Sequence, residues 1–171
     1  MVPIMIFKIV DKISTLSAWM SKLAIIVLVL SMLYEVIARY VFNSSTIWAF
    51  DISYMATGVA FMLGVAWTAQ VDGHIKVDVL SSLLPNNISR LIIGVIYTIV
   101  LFPTFLLLAW YGWKKTMSAF ITNEVEMVST WAPQMWPFYT CIAVGLTLLA
   151  LQILVVGLRT FLNKTTNSEV E

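Results

Sequence analysis

Four stretches of about 20 mostly apolar residues, parted by short polar breaks, constrain this chain most, because a helix of that length crosses the hydrocarbon core of a bilayer. The first is 23–42, interrupted by Glu35 and Arg39. The second, 48–69, carries one charge, Asp51, in its opening turns, where an acid suits a helix N-terminus, and Asn43, Ser44, Ser45 and Thr46 before it offer N-caps. The third, 91–113, and the fourth, 136–158, have no charge at all. Strands are too short to use such runs. Composition agrees: of 171 residues 60% are apolar and 11% charged, and mean hydropathy is +0.92. A soluble domain of this size leaves too much of its surface in water to hide so much apolar material, so lipid must cover the rest. The expected fold is all-α, one membrane domain over 1–171 with four transmembrane helices.

Short cytoplasmic loops hold an excess of lysine and arginine. Lys8, Lys12, Lys22, Lys76, Arg90, Arg159 and Lys164 fall on one side of the expected membrane, against Lys114, Lys115 and Arg39 on the other. Both termini are therefore expected in the cytoplasm. Tryptophan supplies a second marker, since indole favours the interface: Trp48, Trp110, Trp113, Trp131 and Trp136 cluster at the outer boundary, Trp19 and Trp67 at the inner one. Pro133 and Pro137 fall before or within the first turn of the fourth span, whereas Pro103 lies mid-span and should kink the third. No small-residue cleavage pattern follows the first apolar run, so it is read as retained.

Two segments are expected along the membrane surface. In 4–22, Ile6, Ile9, Val10, Ile13, Leu16 and Met20 share one helical face, with Lys8, Asp11, Lys12, Thr15 and Lys22 opposite. Such a helix can lie among headgroups with its lysines toward anionic lipid. It can equally extend the first span and pack on a partner. Between the second and third spans, Gly73 permits a sharp turn, and 75–84 aligns Ile75, Val79, Leu80, Leu83 and Leu84 as a short cytoplasmic surface helix ended by Pro85-Asn86-Asn87. A polar tail, 164–171, closes the chain.

The chemistry-bearing residues are few. His74 is the sole histidine, so the chain by itself cannot supply the pair of ligands of a bis-histidine haem; no Cys/His cluster has metal-ligand spacing, and no phosphate loop or nucleophile set can be assembled. Cys141, the sole cysteine, sits among apolar residues as a packing residue. A net charge of +1 gives no field for nucleic acid. An enzyme is not expected, nor a cofactor. Ser53, Thr57, Thr98, Thr104, Thr147 and Gln152 are the main deep polar groups and do not outline a broken-helix ion site.

Glu35 and Arg39 stand out because charge within a span is costly, roughly 2.5–3.5 kcal/mol per residue at the bilayer centre, and so faces protein or water. Their i, i+4 spacing, acid first, joins them on one helix face. Two readings follow: a coupling carboxylate for protons or sodium, or a self-neutralised pair that locates the helix against a partner while Arg39 snorkels to the headgroups. Arg39 beside Glu35 favours the second. Asp51 is explained as a helix-start acid, with substrate binding as its alternative.

Arg39-Tyr40-Val41-Phe42, Trp48, Asp51, Gly64, Asp72-Gly73-His74-Ile75-Lys76-Val77-Asp78 and Leu84-Pro85 resemble, in order and spacing, the motif run of the small permease subunit of tripartite ATP-independent periplasmic (TRAP) transporters. The resemblance covers nearly the whole chain. Asp51 stands where that run more often has glutamate, and Trp131-Ala132-Pro133 to Leu151-Gln152 is similar to one subset of the family. The resemblance implies a multi-pass subunit of the bacterial inner membrane bound to a large permease subunit, which holds the sodium and substrate sites and moves as an elevator. A soluble periplasmic substrate-binding protein delivers a small organic acid anion. The chain itself is then a scaffold with a share in docking the binding protein. Glu35, Arg39, Trp48, Asp51, His74 and Asp78 carry over as structural or interface residues, none as catalytic.

The rival from another class is a small proton-coupled exporter with Glu35 as its titrating acid, and a third reading is a haem-sharing anchor for a redox enzyme. The charge asymmetry makes one sharp prediction. With Cys141 replaced by serine and single cysteines placed at Asn86 or Asn123, an impermeant maleimide added outside whole cells should label only position 123; equal labelling defeats the orientation.

Overall fold

The structure is a computed structural model that describes residues 2–71 and 94–168, with side chains in 9–71 and 94–158. It is helical, with an isolated bridge between Val125 and Gln134 as the β pairing among the described residues. Helix α1 spans Val2–Tyr40, α2 Ala49–Gln70, α3 Phe102–Ile121 and α4 Trp136–Ser168, with a π-helical turn, Ile96–Leu101, running directly into α3. Within these lie four segments long and apolar enough to cross a membrane: Ile9–Tyr40, Ala49–Gln70, Ile96–Ile121 and Trp136–Leu158. The surface helix expected over 75–84, with His74 and Asp78, lies outside the described residues.

Helix α1 passes through residues 22 and 23 without a break, so the amphipathic segment and the first span are one rod of about 60 Å, twice the hydrocarbon thickness. Its apolar stripe is not what packs. Ile9, Ile13, Leu16 and Met20 point outward, while Ser14, Ser17, Ala18 and Ser21, spaced along the other face, are buried against α2 and α4. Lipid tails reward apolar exposure as well as protein does, so the face that packs is the one of small residues that lets backbones close in and hydroxyls bond across.

Those bonds run the length of the seam. Ser21 Oγ donates to the Ala60 carbonyl at 2.6 Å, Ser31 and Ser53 share a bond of 2.9 Å, and Ser14 Oγ donates to Gln152 Oε1 at 3.2 Å. Gln152 is wholly buried and passes its amide N–H to Asp11 at 3.1 Å. Helices α1, α2 and α4 are thus tied by a polar spine inside an apolar coat.

The helices form an open row. Helix α1 packs on α2 and, less extensively, on α4; α2 packs on α4; and α3 leans on α4 alone among the described helices. The central pair meets where Ala69, Leu149 and Ile153 form the core, joined by Val65 and by Tyr97, Leu101, Phe102 and Phe105 from the third span. That third span is the least buried, its most apolar window only 6% enclosed against 44% for the fourth.

Pro103 sits just after the π-helical turn. A proline lacks the N–H of the helical ladder and its ring crowds the carbonyl four residues back, here that of Ile99, and the wider turn makes room for both. The helix then continues past Trp113 to Ile121, since the intervening Lys114 to Ile121 contains no breaker. It ends in a Schellman turn: Asn123 takes a left-handed φ of 49°, its N–H reaches Phe120 O at 3.5 Å, and Glu124 N–H reaches Ala119 O at 3.0 Å.

Helices α2 and α4 come close together at Gly145, where a Cβ would lie 2.6 Å from the Met62 carbonyl oxygen, a distance backbone cannot tolerate. Gly145→Ala should force the two helices apart and cost about 1–3 kcal/mol, the range for overpacking. Thermal unfolding in detergent should show a lowered midpoint; Gly112→Ala, whose Cβ would meet its nearest neighbours at 3.4 Å, serves as the milder control. An unchanged midpoint for Gly145→Ala contradicts the close approach.

Candidate functional site

The polar residues at the α1–α2 end of the bundle form two linked anchors. Glu35, one turn before the end of α1, is buried and accepts from Arg39 Nε at 3.0 Å and from Arg39 Nη2 through one carboxylate oxygen. Its other oxygen accepts the backbone N–H of Thr46 at 2.9 Å and the Thr46 hydroxyl as well. The carboxylate thus closes the turn between α1 and α2, while the Arg39 side chain, 58% exposed against 10% for Glu35, reaches outward. Asn43 supports the turn in the left-handed region at φ 49°, with Ser44 N–H on Ala38 O at 3.0 Å.

None of the four polar residues before α2 caps it by a side-chain bond, contrary to the expectation from sequence. Trp48 occupies the N-cap position without a side-chain bond, because its indole N–H can only donate whereas a cap must accept from the first helical N–H groups, and Thr46 is turned to Glu35 instead. Trp48 instead stacks on Tyr34, ring centroids 5.4 Å apart, clamping the start of α2 to α1. Asp51 is more than a helix-start acid. It is buried and accepts the hydroxyl of Ser129, far along the chain in the α3–α4 connection.

That connection has its own anchor. Glu124 takes Lys115 Nζ at 2.7 and 2.8 Å and the Tyr139 hydroxyl at 3.3 Å, and its backbone carbonyl accepts Met135 N–H at 3.0 Å. The Lys115 hydrogen bonds foremost, with the lysine's charge and Tyr139 behind them, hold the Glu124 carboxyl below its usual range against the opposing effect of burial. Thr46, Ser129, Glu124 and Tyr139 carry no local signal, because each bond spans a turn or two helices. The Ser14, Ser17 and Ser21 stripe is periodic in the sequence, but the apolar and charged faces of the same helix are the stronger signal.

Chemically, the arrangement is saturated. Of the deep polar groups, Ser53, Thr57, Thr104 and Thr147 donate to carbonyls one turn back, and Thr147 also accepts Trp113 Nε1 at 3.1 Å. Among buried side-chain polar atoms of the described residues, only Thr98 Oγ1 lacks a partner. No group of three or more His, Cys, Asp or Glu is placed to hold a metal ion among the described residues. A shallow groove lined by Met32, Glu35, Val36, Arg39, Tyr40, Thr46 and Phe50 opens at the bundle's edge.

An open row of four spans with its charges spent on its own turns is built to hold a shape in lipid. The family described as Tripartite ATP-independent periplasmic transporters, DctQ component, matches residues 28–163. The chain belongs to the DctQ family. No curated protein and no solved structure matches it. As a DctQ component it is the small membrane subunit of a TRAP transporter, a multi-pass membrane protein from a family of transporter components and not of enzymes. The family match includes every residue of the Glu35 and Asp51 anchors.

Because the folded-state pKa of Glu124 is lowered, its contribution to holding the DctQ α3–α4 connection is complete above the ordinary carboxylate value of 4.5 and is lost as pH falls through the lowered one. Hydrogen exchange at Glu126 and Met135, corrected for intrinsic rates, should therefore be flat from neutral pH to about 4.5 and accelerate below it. Glu124→Gln should remove that acid step; a wild-type profile with no step speaks against the anchor.

Proposed function

We propose that this chain is the scaffold subunit of a sodium-coupled TRAP importer of a small organic acid anion. The large permease subunit carries the sodium and substrate sites, and a soluble periplasmic protein delivers the substrate. The observation that carries the reading is the family match over residues 28–163, and the geometry supports it from the other side. Helix α3 lies along α4 and reaches the core beside α2 through Phe102 and Phe105 near its start, so the row encloses no lumen between four walls. Polar side chains within it bond to their own backbone or to each other, leaving little lining for a hydrophilic solute.

The two outer helices, α1 and α3, present long apolar faces, which serve the large subunit on one side and membrane lipids on the other. In the bacterial inner membrane the cation asymmetry puts both termini in the cytoplasm, and the Glu35 and Asp51 anchors then face the periplasm. Glu35, Arg39, Trp48 and Asp51 act as structural residues that keep this end rigid, and His74 and Asp78 belong to the cytoplasmic loop as interface residues. The exporter reading finds no support: both oxygens of Glu35 are engaged by Arg39 and Thr46, a poor arrangement for a carboxylate that must load and release a cation.

Purified in mild detergent, the tagged chain should bring down a much larger membrane protein in fixed ratio, and alone in vesicles it should move no solute under a sodium gradient. Glu35→Gln should lower the yield of that complex while residual uptake keeps its sodium and pH dependence. An intact complex with a displaced pH profile would make Glu35 a coupling acid instead.

A further inference from the structure

The unpaired Thr98 hydroxyl sits inside the π-helical turn through which the third span runs into α3. The other threonines whose side chains are described in helices, Thr57, Thr68, Thr104 and Thr147 among them, donate to the carbonyl one turn back. That bond satisfies a hydroxyl without help from any neighbouring helix, so its absence at Thr98 needs a local cause. The wide turn supplies it. Phe102 N–H goes to Tyr97 O, five residues back, which displaces the nearby carbonyls from their α-helical places. Helix α4 then crowds the same spot: a Cβ added at Gly157 would lie 2.6 Å from Thr98 Oγ1 and 3.4 Å from Tyr97 Cβ, so Thr98 fits only because position 157 has no side chain.

Narrowing the turn would cure this fault and create another. In an α-helical register Phe102 N–H reaches Thr98 O and the Thr98 hydroxyl can donate to Gly94 O, but the Pro103 ring is then set against Ile99 O. A buried hydroxyl without a partner is costly, and so is a proline pressed on the carbonyl four residues back. Each form carries one defect, so neither lies far below the other. The surroundings leave room for the change. Helices α1, α2 and α4 are tied by side-chain bonds, whereas the most apolar window of the third span is only 6% enclosed and its bond to α4, from Trp113 to Thr147, lies toward the far end. Val95 and Ile96, just before and at the start of the turn, are exposed.

We propose that this turn is a register switch, in which the third span passes between the wide form and an α-helical one. The segment before Thr98 turns by roughly 100° and shifts about 1.5 Å along α4, one residue of helix. Val95 and Ile96 then leave the outward face, and a subunit otherwise fastened by its polar bonds gains one surface that can change, at the end of the bundle opposite the Glu35 anchor. Wide turns of this kind recur at functional sites in helices, and a packed element with two discrete arrangements is what a neighbouring chain can bias. The switch needs no partner subunit, so it stands apart from the transporter reading.

The test uses the full-length chain in mild detergent. With Cys141 replaced by serine, spin labels on cysteines at Val95 and Leu151, both exposed, should report one main separation for the native sequence and a second that grows in Pro103→Ala. Gly157→Ala, whose Cβ crowds Thr98 in the wide form, should populate the same second separation without touching the proline. Thr98→Val should do the reverse: it should abolish the second separation and raise the thermal midpoint by about 2–4 °C, because the orphaned hydroxyl is gone at equal volume. With Pro103→Ala already present that rise should vanish, since the hydroxyl then has its carbonyl. One unchanged separation in every variant, or the same rise in both backgrounds, overturns the proposal.

Discussion

Everything in this structure depends on hydrogen bonds and close backbone contact between helices that gain nothing from hiding apolar surface. In water the packed face of a helix is the greasy one; in lipid the greasy faces can stay outside at no loss, so what draws helices together is small side chains and polar bonds with no competing solvent. Here Ser21 reaches the Ala60 carbonyl, Gly145 lies against Met62, and Gln152 links Ser14 to Asp11. Remove that seam and α1 has only turn contacts to keep it beside its neighbours.

The same logic explains why the charges inside the spans are spent locally. Glu35 is neutralised by Arg39 and hydrogen-bonded by Thr46, and in doing so it sets the angle at which the chain turns back into α2. Asp51 and Glu124 do for the α3–α4 connection what Glu35 does for the first turn. Three acids at one end of the molecule therefore act as fasteners, each tying a segment between helices to the bundle.

An open row of helices with stiffened turns suits a subunit that stays still while another part moves. A carrier needs a path with polar lining and elements free to change partner, whereas among the described residues most buried polar groups bond within the bundle, and α1, α2 and α4 are tied to one another. The DctQ family assignment makes the chain a transporter's small membrane subunit, and the scaffold role proposed for it draws on this geometry.

Much of this was legible in the amino-acid order. Length and polarity alone determine four helical spans, because a bilayer of fixed thickness with no water in it accepts little else, and the i, i+4 spacing of Glu35 and Arg39 already implies their pairing. The order of motifs was enough to name the family. Other features were decided only by the tertiary structure: that the serine stripe of α1 packs while its isoleucines face outward, that Thr46 serves Glu35 instead of capping α2, that Pro103 is absorbed by a π-helical turn, and that Ser129 finds Asp51. Apart from the π-helical turn, a local adjustment to Pro103, each is a contact across a turn or between helices, or a choice between two faces of one helix. Local pattern cannot rank such choices, because in lipid both faces are equally content until a neighbouring helix arrives.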